Sequence, residues 1–319
     1  MQTLSTVQTS HFGSATQGGE RPIYPQQSIE ELLPTETDVA LYRERGYYVS
    51  RRIIANEVID EAARGAERHF AGERDFRLPV NSGFADWTPG DPDGIRNSEF
   101  VTLQNAQIRA LVVQPIIGAI AACLTGSNTI RLWDDQLVWK SPSPTTGDGP
   151  VIGWHTDRAY WMTCTSQEML TAWIPFHDCP EGMGPVIYIE GSHRWPETDA
   201  MRTFNTQDLD ILERRFLGEG ADSLKRVMAL EKGQMSFHHS RLIHGSDLNR
   251  GTLPRVSLAL HMQDGSNRWR HYLNEQGVQW ELTNDRLARK KADGTPDYTD
   301  PSVFPVLWSD TTALRATRK

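Results

Sequence analysis

The pentapeptide Gly153-Trp154-His155-Thr156-Asp157 sets two metal-ligating side chains two residues apart. On an extended strand, residues i and i+2 share a face, so His155 and Asp157 can bind one ion together. Downstream, the segment MSFHHSRLIHGSDLN offers His238, His239 and His244 as a third donor. Two histidines and one carboxylate leave half of an octahedral ion open, the arrangement that suits non-haem Fe(II) oxygenases. Arg255 lies eleven residues after His244, and Ser257 shares its strand face two residues on. A guanidinium and a hydroxyl together can grip a carboxylate at two points, which is what a 2-oxo acid cosubstrate beside the iron requires. In the run RLWDDQLVWK, alternation puts Gln136, Val138 and Lys140 on one face. Polar groups turned into a barrel are costly unless they meet a ligand or a partner. A zinc hydrolase also satisfies three such ligands and a water, and a cupin-like binding protein without turnover is the non-enzymatic alternative.

These side chains need elements to place them. After Gly126 the chain reads as short β-rich runs at 131–140, 151–160, 168–176, 185–190, 226–230, 234–238 and 254–263, with glycine-marked corners. Ahead of them, Val58, Ile59, Ala62, Ala63, Ala66 and Phe70 recur at helical spacing, which predicts a helix over 57–71. A second helix is expected over roughly 104–124, and a surface helix over 207–222. The fold class expected is mainly β: a jelly-roll or barrel with a helical layer outside. Residues 79–98 are dense in Pro, Gly and Asp and read as a long loop, a candidate lid over the site. Asn81, Phe84 and Trp87 in that loop, and Arg158 just after the motif, are candidate substrate contacts. Residues 1–35 lack hydrophobic periodicity and read as a flexible arm, leaving 36–319 as a single domain with its β core at about 130–263. The tail from Asp264 is polar and reads as a solvated face.

Composition narrows the function classes. The chain has 319 residues, a formal charge of −8 and three cysteines. An acidic balance argues against a protein that grips a nucleic-acid backbone. No stretch approaches the ~20 apolar residues of a membrane span, and the N-terminus has no secretory pattern. Three cysteines make no disulfide framework. The expectation is a soluble, cytoplasmic enzyme acting on a small molecule, with its oligomeric state left open.

The ordered motifs YRERGYYV (42–49), GWHTDRAYW (153–161), LTAWIPF (170–176), GMGPVIYIEGSHRW (182–195), EKGQMSFHHSRLIHGSDLN (231–249) and PRVSLALHM (254–262) resemble the phytanoyl-CoA dioxygenase-like Fe(II)/2-oxoglutarate oxygenases. The resemblance covers most of residues 36–263. It implies a double-stranded β-helix with helices packed on one sheet, and a requirement for Fe(II), 2-oxoglutarate and O₂. It implies that His155, Asp157 and His244 ligate iron, and that Arg255 with Ser257 anchors the cosubstrate. Ser246 and Trp173 fall where family members contact the cosubstrate, and Gln136 and Lys140 match a strand that lines the pocket. The His244-Gly245-Ser246 turn and the spacing to Arg255 favour His244 over His238 and His239. Hydroxylation of a secondary-metabolism intermediate is the expected reaction.

Overall fold

Alternation along the later strands builds a frame of two sheets. The computed structural model describes residues 29–143, 149–196, 198–216 and 221–310. Among them the strands are β1 (Tyr47–Val49), β2 (Ile95–Glu99), β3 (Thr129–Lys140), β4 (Ile152–His155), β5 (Leu170–Pro175), β6 (Ile187–Ile189), β7 (Lys225–Val227), β8 (Ser236–His239), β9 (His244–Ser246), β10 (Arg255–Asp264) and β11 (Val306–Ser309). The larger sheet runs β1-β8-β5-β10-β3-β11, with β2 also paired to β3. The smaller sheet runs β4-β9-β6-β7. This is the expected double-stranded β-helix.

The helices are α1 (Ile29–Leu32), α2 (Glu36–Arg45), α3 (Asn56–Phe70), α4 (Ala106–Val112), α5 (Pro115–Thr125), α6 (Leu209–Phe216) and α7 (Thr283–Leu287). The helix expected over 104–124 is thus two. Pro115 lacks an N–H and is pre-set for a first helical turn, so α4 stops and α5 starts afresh. Asn105 caps α4 by accepting from the N–H groups of Gln107 and Ile108 at 3.0 and 2.9 Å.

Parity along the central strands decides which side chains meet the helices. Leu137, Ala172, Ile174, Phe237, Leu258 and Leu260 face outward and share one core with Ile108, Ile116, Ile117 and Ile120 of α4 and α5. Their neighbours of opposite parity turn between the sheets and are mostly polar. One apolar face of the large sheet therefore anchors it, while the other is free to carry chemistry.

Three expectations need correction. The tail is not a solvated face: Asp264, Asn267, Asn284, Tyr298 and Phe304 are buried, and β11 pairs with β3. Its polar groups hide there because they are satisfied: Tyr298 donates to Asp285 Oδ1 at 2.6 Å, and Asn284 to the Trp133 carbonyl at 2.7 Å. The loop expected over 79–98 ends early, because Ile95–Glu99 forms β2 against residues 136–140 of β3. The expected 151–160 strand stops at His155. Of the segment read as an arm, residues 1–28 lie outside the described residues, and α1 buries Leu32.

Candidate metal centre and its two pockets

His155 ends β4 and His244 begins β9, and the two are direct antiparallel partners. Their ring centroids stand 4.1 Å apart. His244 lies on a strand rather than in the expected turn. Asp157 does not share a strand face with His155; it opens a 3₁₀ turn, Asp157–Ala159, that swings it toward both rings. Gly153 lets the 203–206 segment pack against β4, since a Cβ there would run into the Thr203 carbonyl. One ligand atom from each of His155, Asp157 and His244 lies within 4.8 Å of the others, and all three residues are buried.

Hydrogen bonds set the protonation each ligand needs. His155 Nδ1 lies 2.8 Å from the Gly153 carbonyl, and His244 Nδ1 lies 2.9 Å from the Leu242 carbonyl. A carbonyl only accepts, so each Nδ1 carries the proton and each Nε2 keeps a lone pair for a metal. Burial lowers the His155 pKa to about 3 and that of His244 to about 4, so both rings are neutral near pH 7. Burial alone would raise the Asp157 pKa, but the surrounding histidines, His244 foremost, hold it well below the usual range.

The carboxylate is also aimed. Asp157 Oδ2 accepts from Thr171 Oγ1 at 2.6 Å and from His238 Nε2 at 3.2 Å. His261 Nδ1 donates in turn to Thr171 at 2.8 Å, and Tyr188 donates to His238 Nδ1 at 3.0 Å. Oδ1 is left facing the two Nε2 atoms, 3.5 Å from His244 and 3.9 Å from His155. His261, Thr171 and His238 occupy one cross-strand row of β10, β5 and β8. The large sheet thus grips the ligand that the small sheet's turn delivers. His238 therefore orients Asp157, while His239 points to the other face and rests against His193, centroids 5.3 Å apart. His261, read from sequence as ordinary, is in the network. Extending the Arg255–Ser257 alternation by four residues would have found it.

Farther along the same sheet face lies a narrow pocket bordered by Gln136, Val138, Trp173, Ser246, Arg255 and Ser257. Lys140 is opposite Arg255 in register. It stands behind the pocket wall, donating to Ser246 Oγ at 2.5 Å and to the Asp247 carbonyl at 2.7 Å. Arg255 Nη1 donates to the Gly184 carbonyl at 2.9 Å, and its Nε is buried without a partner. Burial lowers the Arg255 pKa to about 10 and holds Lys140 well below its usual value. Neither cation makes an ion pair among the described residues. A buried guanidinium without a counter-ion is costly and implies an anion that arrives with a ligand. Two neutral imidazoles, one carboxylate and no thiolate suit non-haem Fe(II), and the orphaned guanidinium suits a carboxylate of 2-oxoglutarate.

On the other side of the triad is a cavity of about 630 Å³, with His155, Asp157, Tyr160, Trp161, Phe204 and Trp280 in its wall. None of the four candidate substrate contacts lines it. Asn81 is exposed, Phe84 packs edge-on against Phe100, and Trp87 packs on Phe70 and donates to the Pro92 carbonyl. Arg158 is buried; its Nη1 and Nη2 donate to the carbonyls of Trp161 and Cys164 beside the turn that carries Asp157, and its Nε has no partner among the described residues. The loop contributes instead through Gly83, Ala85, Pro92 and Gly94. Trp280 and Asn284 come from the tail, where no local pattern announces them.

A double-stranded β-helix holding His-x-Asp and a distant His between a cationic pocket and an open cavity defines the class of iron-dependent, 2-oxo-acid-dependent oxygenases. The family model for phytanoyl-CoA dioxygenase (PhyH) matches residues 42–257, and the chain belongs to that Fe(II)/2-oxoglutarate-dependent family. Peroxisomal phytanoyl-CoA dioxygenase of Bos taurus is 24% identical over 195 residues, 60% of this chain and 56% of its own length. A probable alpha-ketoglutarate-dependent hypophosphite dioxygenase of Stutzerimonas stutzeri is 27% identical over 132 residues, 41% of this chain and 44% of its own length. The chain thus spans about half the length of these two relatives. Among solved structures, the non-haem alpha-ketoglutarate-dependent carbocyclase SnoK from nogalamycin biosynthesis superposes with a TM-score of 0.63 at 22% identity, covering 91% of this chain and 99% of that one. That likeness concerns the fold.

Proposed function

We propose that this family member hydroxylates a small organic molecule in specialised metabolism, with 2-oxoglutarate in the Arg255 pocket and the substrate in the 630 Å³ cavity. The observation that carries this reading is the placement of the triad between two unlike pockets, one ending in the unpaired Arg255 guanidinium and one wide and partly aromatic. Bound Fe(II), with 2-oxoglutarate and O₂, supplies the oxidising power. The chain's own residues do the rest. His155, Asp157 and His244 hold one face of the ion, and Thr171 and His238 stop the Asp157 carboxylate from rotating. Arg255 takes the far carboxylate of 2-oxoglutarate, with Ser257 beside it, Trp173 and Gln136 on the walls, and Lys140 steadying Ser246. The aromatic walls exclude bulk water from the reacting carbon. SnoK's place in nogalamycin biosynthesis supports a biosynthetic setting. A zinc hydrolase would leave the buried, unpaired Arg255 guanidinium without a purpose. The test is a substrate screen scored by succinate release: turnover should require both iron and 2-oxoglutarate, and Asp157→Ala should abolish it. Substrate conversion that proceeds without 2-oxoglutarate would refute the proposal.

A further inference from the structure

The substrate cavity is lined by acidic side chains without basic partners. Glu99 and Asp134 both line it, and no lysine or arginine does so among the described residues. Their position follows from register: Asp134 lies opposite His261 on β10, and Glu99 lies opposite Gln136 on β3. They therefore flank the inner face on the side of β3 nearest the triad, while Lys140 and Arg255 occupy its other end. Glu99 accepts only from neutral donors, the Ala85 N–H at 3.0 Å and the Gln136 amide at 3.2 Å. Asp134 accepts from the Asp135 N–H at 2.7 Å, and neither carboxylate forms an ion pair. Asn97 also lines the cavity, and its Oδ1 is buried without a hydrogen-bond partner. Phe100, Tyr160, Trp161, Phe204 and Trp280 also line the cavity, with the amide side chains of Asn205, Gln207 and Asn284. Burial raises the pKa of both acids, and for Asp134 the nearby Glu99 and Asp135 add to the rise, so ionising both side by side requires a cation between them. An amide acceptor without a donor, carboxylates without cations, and aromatic faces together describe a receptor for a positively charged group.

We propose that the substrate is an organic cation, an amine protonated at neutral pH, whose ammonium sits between Glu99 and Asp134 while its carbon frame lies along the aromatic wall toward the triad. This rests on the wide cavity being the substrate site. The same walls repel a carboxylate or a phosphate brought to that position.

The test uses matched probes on anaerobic, Fe(II)- and 2-oxoglutarate-loaded protein, read by calorimetry. Phenethyl, indolylethyl and n-hexyl scaffolds are each presented as the amine, the alcohol and the carboxylate. On at least one scaffold the amine should bind more than about fivefold more tightly than both partners, a difference of about 1 kcal/mol. Glu99→Gln with Asp134→Asn should cut that preference to less than half. A preference below about fivefold on every scaffold overturns the proposal, as does a preference that survives the double substitution. If the double variant fails to fold, the single variants and the wild-type ranking still decide. The absorption of the iron–cosubstrate complex, recorded in the same samples, separates the two readings. A normal complex with a flat charge ranking defeats this proposal alone, whereas no complex defeats the assigned cofactor chemistry.

Discussion

Asp157 must present one oxygen to a metal while keeping its charge in a buried site, and three side chains from a different sheet share that task. Removing the Thr171 hydroxyl while keeping its shape isolates the effect. Thr171→Val should weaken Fe(II) affinity by about tenfold or more, as measured by anaerobic calorimetry, because outer partners of a metal ligand typically carry that much. Rotor and fold should be spared, so near-ultraviolet circular dichroism should not change. The histidines make a second prediction. Free imidazoles begin to take up protons near pH 6.5 and compete with a metal from there downward. With His155 near 3 and His244 near 4, proton competition should start only as pH falls toward those values. Iron affinity should therefore change by less than about threefold between pH 7.5 and 5.5, where ordinary histidines would lose about tenfold or more. A steep loss over that range would show that the rings are not held neutral. At this scale the triad was legible through the resemblance of the motifs, not through strand geometry, since Asp157 opens a turn and does not share a strand face with His155; Arg255 and Ser257 line the pocket where that resemblance put them. Thr171 and Tyr188 were not, since a hydroxyl gains its role only from what the fold sets opposite it.

Strand parity is the element-scale device. On β10, Arg255, Ser257, Ala259 and His261 face the site, while Leu258 and Leu260 enter the core under α4 and α5. That alternation is visible in PRVSLALHM, so both the strand and its working face could be read from sequence. Pro115 could also have announced the break between α4 and α5, but the apolar period runs through it. β2 escaped notice because IRNSE has no apolar alternation and becomes a strand only through pairing with β3. The fit of β11 against α5 gives a test. A Cβ at Gly118 would lie 2.7 Å from the Leu307 carbonyl. Gly118→Ala should lower unfolding free energy by about 1–3 kcal/mol, as overpacking does. Denaturant titration measures the loss, and faster amide exchange confined to 306–309 would locate it. An unaltered midpoint would mean that β11 does not pack on α5 as described.

Across the whole molecule, charge is sorted along one sheet face: Asp134 and Glu99 near the triad, and Lys140 and Arg255 at the far end. No run of like charges in the sequence shows this, because the four residues come from three strands and meet only through register. The tail has the same character. Trp133 stacks on Phe304 at 5.3 Å, and Trp280 lines the 630 Å³ cavity, though Trp133 and Phe304 lie 171 positions apart in the chain. A chain ending at Asp264 should lose fixed aromatic packing, seen as loss of near-ultraviolet dichroism and cooperative melting. Retention of both would show that the tail is an appendage. The net charge of −8, by contrast, says nothing about this internal sorting.

The most direct test of the iron and 2-oxoglutarate assignment is an anaerobic titration of Fe(II)-loaded protein with 2-oxoglutarate, followed by visible absorption. The weak charge-transfer band of the chelate should appear and saturate. Arg255→Ala should shift the saturation point upward by about a hundredfold, the loss of about 2–3 kcal/mol expected when a buried charge-assisted contact is removed. No band in the wild-type protein, with no 2-oxoglutarate binding by calorimetry, would contradict the assignment.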